Sequence, residues 1–336
     1  MDKTLNSPSR RRALTQGLAL GLGAAGVKGA SAQTAEFPNR LIKFILPFPA
    51  GGTLDALGRQ VASRLAPRLG QPIIIESRPG ANTQIGATFV SKAPADGYTV
   101  LLGSDAAMSL APALGKPLPY DPRRDFAPLS LLAHASLLLA AHPSIGVSSL
   151  AELIAQAKAQ PGKLSYASLG IASQAHVTTE MLAQLTGIEL LHVPYRGIAP
   201  AVTALLAGEI KLLFAAITST LAHIRSGRIR GIALAGPARS PLLPELPTFA
   251  EAGLAEFESR GWFGAFAPRG TPEPIVRRLG REIWSVVSSP EFVETVVKAQ
   301  GFEAAATPPE QFEAFLRGDQ EKWASWVNKL GARLQP

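Results

Sequence analysis

Short apolar runs alternate along the chain with stretches in which apolar residues recur every three or four positions, the pattern of strands followed by helices. Leu41-Ile42-Lys43-Phe44-Ile45-Leu46 reads as a buried strand that stops at Pro47-Phe48-Pro49-Ala50-Gly51-Gly52. Leu54, Leu57, Val61 and Leu65 then mark one face of a helix. The same signals repeat as a strand at 72–76, a helix around 85–92 and a strand at 98–102 after the turn Ala95-Asp96-Gly97. A strand at 137–141 precedes a helix at 150–158, and a strand at 164–168 leads through Gly170 into a helix with Val177, Met181, Leu182 and Leu185 on one face. A strand at 190–193, a helix at 200–206 and a strand at 210–214 continue the alternation, which predicts βαβ units, largely parallel sheets and an α/β fold. Two helical patterns, 274–288 and 309–330, joined by an extended stretch, close the chain. In the second, Phe312, Phe315, Leu316, Trp323, Trp326, Val327 and Leu330 form a stripe expected to pack on the core.

The first 32 residues break this pattern and read as a targeting segment. Ser9-Arg10-Arg11-Arg12-Ala13-Leu14 is a charged twin-arginine head, 13–27 is mostly apolar, and Ala30-Ser31-Ala32 is a small-residue cleavage site. A signal peptide of residues 1–32 is expected, routed through the Tat pathway by its arginine pair, with the mature chain starting at Gln33. The apolar run is shorter than the roughly 20 residues a membrane-spanning helix needs, so no permanent anchor is expected.

Removing that segment changes the charge. The full chain carries +8, but the mature part holds 28 basic against 24 acidic residues, a balance of +4. With no Lys/Arg run interleaved with aromatics, nucleic acid is excluded as a partner, while a mild positive field suits an anionic ligand. Cysteine is absent, which removes disulfides, thiolate metal sites and thiol nucleophiles from consideration. The length lies where single cores tend to divide, so two domains are expected.

Two loops offer chemistry. Phe48, Pro49, Ala50, Gly51, Gly52, Thr53 and Asp55 lie between a strand and a helix, where glycines let backbone N–H groups approach a ligand and the helix dipole favours an anion. A plain tight turn fits this local pattern equally well. Ser168, Gly170, Ala172, Ser173, Gln174 and His176 form a second loop of similar design, whose hydroxyls, amide and helix-start N–H groups can hold an oxyanion. Neither loop carries a nucleotide-binding glycine motif, G-x-S-x-G is absent, and the histidines lack metal-ligand spacing, so no catalytic residue, metal or cofactor is assigned.

At this point the residues converge on a family. Pro47-Phe48-Pro49-Ala50-Gly51-Gly52 with Asp55, Glu76-Ser77-Arg78-Pro79-Gly80-Ala81, Asp96-Gly97-Tyr98-Thr99 and Leu118-Pro119-Tyr120-Asp121-Pro122 follow one another in order. Tyr166-Ala167-Ser168, His192-Val193-Pro194-Tyr195-Arg196-Gly197, Pro247-Thr248-Phe249-Ala250-Glu251-Ala252-Gly253, Trp262-Phe263-Gly264 and Pro308 with Glu310-Gln311-Phe312 continue the series. The chain resembles the Bug group of extracytoplasmic solute receptors, the substrate-binding proteins of tripartite tricarboxylate transporters, over essentially its whole mature length.

The resemblance implies a two-domain periplasmic binding protein, type II-like, with a ligand cleft between domains. Residues 33–134 plus 256–336 would form domain 1 and 135–255 domain 2. The implied function is capture of a small carboxylate by domain closure, both loops facing the cleft, with delivery to membrane transporter subunits by a transient contact. A monomer, secreted to the periplasm after cleavage behind Ala32, is expected. Ser104-Asp105-Ala106 and Ala215-Ala216 stand where the family commonly shows Thr-Asn-Gly and Asp-Asn, which argues against an amino-acid ligand and leaves Ser104 and Asp105 to meet a different distal group. The alternatives are an exported hydrolase or isomerase using His176 as a base, and a ligand sensor without a transport role.

Overall fold

The computed structural model describes residues 37–305 and 307–334; the expected signal peptide lies outside the described residues. β1 (Ile42–Leu46) is flanked by β2 (Ile73–Ser77) and β3 (Thr99–Ser104), all parallel, with helix α1 (Thr53–Leu69) joining β1 to β2 and α2 (Gln84–Ser91) joining β2 to β3. α1 forms because Leu54, Leu57, Val61 and Leu65 fall on one face, which buries against Ile42, Phe44, Leu46, Val100 and Leu102. Ile45 and Leu101 point the other way and meet Ala87 and Val90 of α2. Burial on both faces explains why these strands read as continuous apolar runs.

The sheet is organised around β4 (Phe126–Ala141), a 16-residue strand of which only the last five residues, 137–141, carry the strand signal in the sequence. β5 (Ser165–Ser168), β6 (Leu191–Pro194), β7 (Leu212–Ala216), β8 (Arg230–Leu234), β9 (Arg260–Pro268) and the short β10 (Glu303–Ala304) complete it. The strand order is β2-β1-β3-β9-β4-β7-β5-β6, with β8 and β10 also paired to β4. From Phe126 to Ser136 β4 pairs antiparallel with β9; from Leu137 to Ala141 it pairs antiparallel with β7. Register shifts at Pro128/Ser130, Leu131/Ala133 and Leu139/Ala140 bend it between the two sets of partners.

Helix Gln174–Thr186 buries Val177, Met181 and Leu182 against Tyr166, Leu212 and Phe214, while helix Ile198–Leu206 covers the opposite face through Ala201, Ala204 and Leu205. The final helix, Pro309–Leu330, serves both ends of the sheet. Its Phe312 and Leu316 pack with Trp262 and Phe266, and its Trp323 and Leu330 pack with Tyr166 and Val177. The stretch before it, expected to be extended throughout, contains the helical turns Pro290–Phe292 and Val293–Lys298. The start is set by Ser289, whose Oγ accepts from Phe292 N–H at 3.3 Å, followed by Pro290 at the first helical position.

Candidate functional site

Strand directions turn the carboxyl ends that carry the candidate loops toward one another across β4. β1, β2 and β3 run parallel to β4, whereas β7, β5 and β6 run against it, so the two parallel sets point their carboxyl ends toward each other. Ser104, at the end of β3, is level with Phe263 and through it with Ala133 of β4; Ala216, at the end of β7, is level with Leu137. Four positions of β4 separate these ends, about 13 Å at strand rise. In α/β sheets the space beyond strand carboxyl ends is where loops gather ligand-binding groups.

The first loop leaves β1 at Leu46. Pro49, Ala50, Gly51 and Gly52 are exposed, Phe48 and Thr53 half-buried. Gly51 adopts φ +83°, a left-handed conformation that costs glycine nothing. Asp55 is buried and turns back on its own loop, its Oδ2 accepting from Gly51 N–H at 2.8 Å and its Oδ1 lying 2.9 Å from Arg59 Nε. The cap residue Gly52 offers no side-chain acceptor, so the first N–H groups of α1 remain available for an oxyanion. Ser77 Oγ donates to the Phe48 carbonyl at 2.7 Å and steadies the loop from β2.

The second loop leaves β5 at Ser168 and is held from beneath. Ser168 is fully buried; its Oγ accepts from Gly170 N–H at 3.0 Å and lies 2.6 Å from His192 Nε2. Gly170 and Ala172 take left-handed backbones, φ +115° and +59°. Ala172 N–H donates to His176 Nδ1 at 2.9 Å, which assigns the neutral ring its proton on Nε2. Ser173 caps the helix by accepting from His176 N–H at 3.4 Å.

The rings of His192, His176 and Tyr166 form a cluster of near-parallel planes, His192 lying 4.1 Å from His176 and 12° from parallel and 5.0 Å from Tyr166, with Tyr166 and His176 6.2 Å apart. Tyr166 Oη donates to Glu180 Oε1 at 2.8 Å, and Glu180 Oε2 pairs with Arg333 at 3.0 Å. Burial, with the neighbouring His192, lowers the His176 pKa to about 4, and burial also lowers that of His192. His176 is therefore neutral near pH 7, and its acceptor nitrogen is already engaged.

At the end of β3, Ser104 and Asp105 are buried, and Ser104 Oγ and Asp105 Oδ2 lack a hydrogen-bond partner among the described residues. Burial and the nearby Asp319 carboxylate raise the Asp105 pKa well above the usual range, against the pull of the Ala106 and Trp262 backbone N–H groups. Asp319 is itself raised by burial while accepting from Trp262 Nε1–H at 2.7 Å. A π-helical turn, Ala106–Leu110, follows directly.

Gln174 links the two halves. It is the first residue of its helix, yet its amide reaches β9, where a methyl at Gly261 would stand 2.9 Å from Nε2. That Nε2 is also buried without a partner among the described residues. The sequence does not single out Gly261 or His192 beside the second loop: glycine in a strand signals close approach without saying what approaches. Nor does the sequence mark Ala81, Asn82 and Thr83 as three successive left-handed residues, at φ +45°, +49° and +75° beyond the end of β2. Among the described residues no cluster of His, Asp and Glu can hold a metal, and no helix is long and apolar enough to cross a membrane.

Comparison with known proteins gives the same architecture a family. Residues 57–332 match the tripartite tricarboxylate transporter family receptor pattern, TctC. The periplasmic binding protein BugD superposes with a TM-score of 0.78 at 34% identity, over 88% of this chain and 99% of its own. Rpa4515 of R. palustris, solved with adipate, gives 0.82 at 32% identity over 88% and 99%. MatC of Rhodopseudomonas palustris, with bound malate, gives 0.77 at 31% identity over 87% and 100%. These are solute-binding receptors and not enzymes, and this chain belongs to their family, the periplasmic receptors of tripartite tricarboxylate transporters.

Proposed function

We propose that this receptor captures a small carboxylate between the two opposed sets of strand ends and hands it to the membrane subunits of a tripartite transporter. The observation that carries the reading is that loops 48–55 and 168–176, each opening a helix, follow strands whose carboxyl ends point toward each other from opposite sides of β4. Backbone N–H groups of α1, with Thr53, Ser173 and the Gln174 amide, would supply the donors. Ser104 would meet the distal end of the ligand. Asp55 and His176 would act through the loops they brace, and Asp105 through the segment that follows β3.

Residues 33–134 with 256–336 would form one lobe and 135–255 the other, closing on the ligand as hinge residues absorb the motion. The adipate and malate in Rpa4515 and MatC support a carboxylate as ligand class. Periplasmic residence after cleavage behind Ala32, a monomeric state and a transient transporter contact complete the proposal. Use of His176 as a catalytic base is disfavoured, because its ring is buried and Nδ1 is occupied.

A thermal-shift screen against mono-, di- and tricarboxylates tests this. At 100 times its Kd a ligand adds about 2.7 kcal/mol, which raises Tm by roughly 5 °C or more for a chain of this size. A shift with an acid that is recovered chemically unchanged supports the reading; failure of every acid to shift a ligand-free preparation overturns it.

A further inference from the structure

The outer corner of the sheet at β1 and β2 is only half covered. On the face carrying Ile45, helix α2 is eight residues long and leaves Leu41, Lys43 and Ile74 beyond its reach; alternate residues of β1 share that face, and Lys43 is level with Ile74. Leu41, Ile74, Ile85 and Phe89 are four of the seven large apolar side chains exposed among the described residues, and all four lie at this corner. A groove of about 640 Å³ runs beside them, lined by Leu41, Lys43, Ile85, Phe89, Lys92 and Tyr98.

The groove is ringed by positive charge. Arg40 pairs with Asp96 at 2.7 Å, while Lys43 and Arg78 share Glu76 at 3.4 and 2.5 Å. Lys92 pairs with no acid among the described residues, so four cations face two acids. Two of the cations frame the groove, the Arg78 guanidinium 3.7 Å from the Phe89 ring and that of Arg40 4.1 Å from Tyr98.

The backbone is open as well. β2 ends the strand order. The Pro72 carbonyl accepts from Ile42 N–H, and Arg78 N–H donates to the Leu46 carbonyl. Even-numbered residues of β2 therefore turn their backbone groups toward β1, and those of Ile73, Ile75 and Ser77 face outward.

We propose that this corner docks an extended segment of a protein partner, rich in aliphatic and acidic residues, added as a further strand along β2. The aliphatic side chains cover Ile74, Ile85 and Phe89, the acids balance the surplus of Arg and Lys, and the partner backbone satisfies the free edge. A lipid surface meets only part of this, because acyl chains offer no hydrogen bonds to Ile73 and Ile75. Leu41, Lys43 and Ile74 lie toward the amino ends of the strands, while Arg78 and Ile85 reach their carboxyl ends, where Arg78 N–H meets the Leu46 carbonyl and Gly86 packs on Pro47.

The test titrates a short peptide rich in valine and glutamate into the isotopically labelled protein and follows its amide signals by NMR. Saturable shifts at Leu41, Lys43, 73–77 and Phe89 are expected. They should weaken about tenfold or more for the lysine-for-glutamate peptide, for a backbone N-methylated peptide, and for the exposed double variant Lys43→Glu with Lys92→Glu. Equal binding of the lysine or N-methylated peptide, shifts confined to other surfaces, no saturable shifts at all, or the same shifts produced by phosphatidylglycerol vesicles would each overturn the proposal.

Discussion

Gly261 of β9 and Gln174 at the start of its helix are built around each other, for any side chain at residue 261 would press on the Gln174 amide at 2.9 Å. The contact ties the second candidate loop to the strand pair that runs past the first. Gly261→Ala displaces the flexible end of a glutamine and not backbone, so unfolding stability should fall by no more than about 1 kcal/mol. Ligand affinity should fall by about tenfold, some 1.4 kcal/mol, because the amide leaves its place. Calorimetric titration beside a denaturant melt checks both, and an unchanged Kd would remove Gln174 from the ligand contacts.

Asp55 holds the first loop through Gly51 N–H and pairs with Arg59. Asp55→Ala should cost about 1–2 kcal/mol of stability, the value of a helix-start acceptor with a charge-assisted bond. Asp55→Asn, which keeps an oxygen for Gly51, should lose less. Urea denaturation of the two variants separates them.

Tyr166→Phe removes the donor that Glu180 Oε1 receives at 2.8 Å inside the protein. A loss of about 1–3 kcal/mol is expected, the cost of a buried acceptor left short of a partner. Equilibrium unfolding measures it.

His176 is held neutral, with its pKa lowered to about 4. In the unfolded chain it titrates near 6.5, so the unfolded state binds the extra proton first and the native state loses stability as pH falls from about 6.5 toward 4. The stability difference between the protein and His176→Gln should therefore shrink by up to about 3 kcal/mol over that interval. Melts at several pH values give the difference directly; a constant gap would contradict the burial of a neutral ring.

Asp105 has the opposite sign. Its carboxyl is raised by burial and by Asp319, so the native state favours the proton and loses stability as pH rises above the usual carboxylate range. Asp105→Asn should therefore gain on the protein as pH rises from 4 toward 8. The same series of melts reads it.

Much of this architecture was legible because each strand-to-helix junction carries its own punctuation. Gly51-Gly52 before Leu54 and Gly170 before the Val177 face mark the ends of β1 and β5 without any knowledge of their neighbours. The long β4 was not legible. It is buried along nearly its whole length, and Pro128, Ser130, His134 and Ser136 interrupt the apolar run, so neither alternation nor a clean core pattern identifies 126–136. β9 was hidden by Gly261 and Gly264, whose missing side chains make room for Gln174 and Phe312. The stack of Tyr166, His192 and His176 joins three elements, and no local pattern can announce it.

The pairing of β3 with β9 also sets an order of assembly. Leu102 finds Ala265 only after the whole second set of strands has been made, so the half of the sheet begun first at β1 is finished last. Until residue 268 is available, β3 keeps an open edge flanked by apolar faces, the kind of surface that invites wrong pairing. Such distant contacts slow folding. A chain truncated before β9 should leave the amino-terminal strands exposed, however complete the strands between β4 and β8.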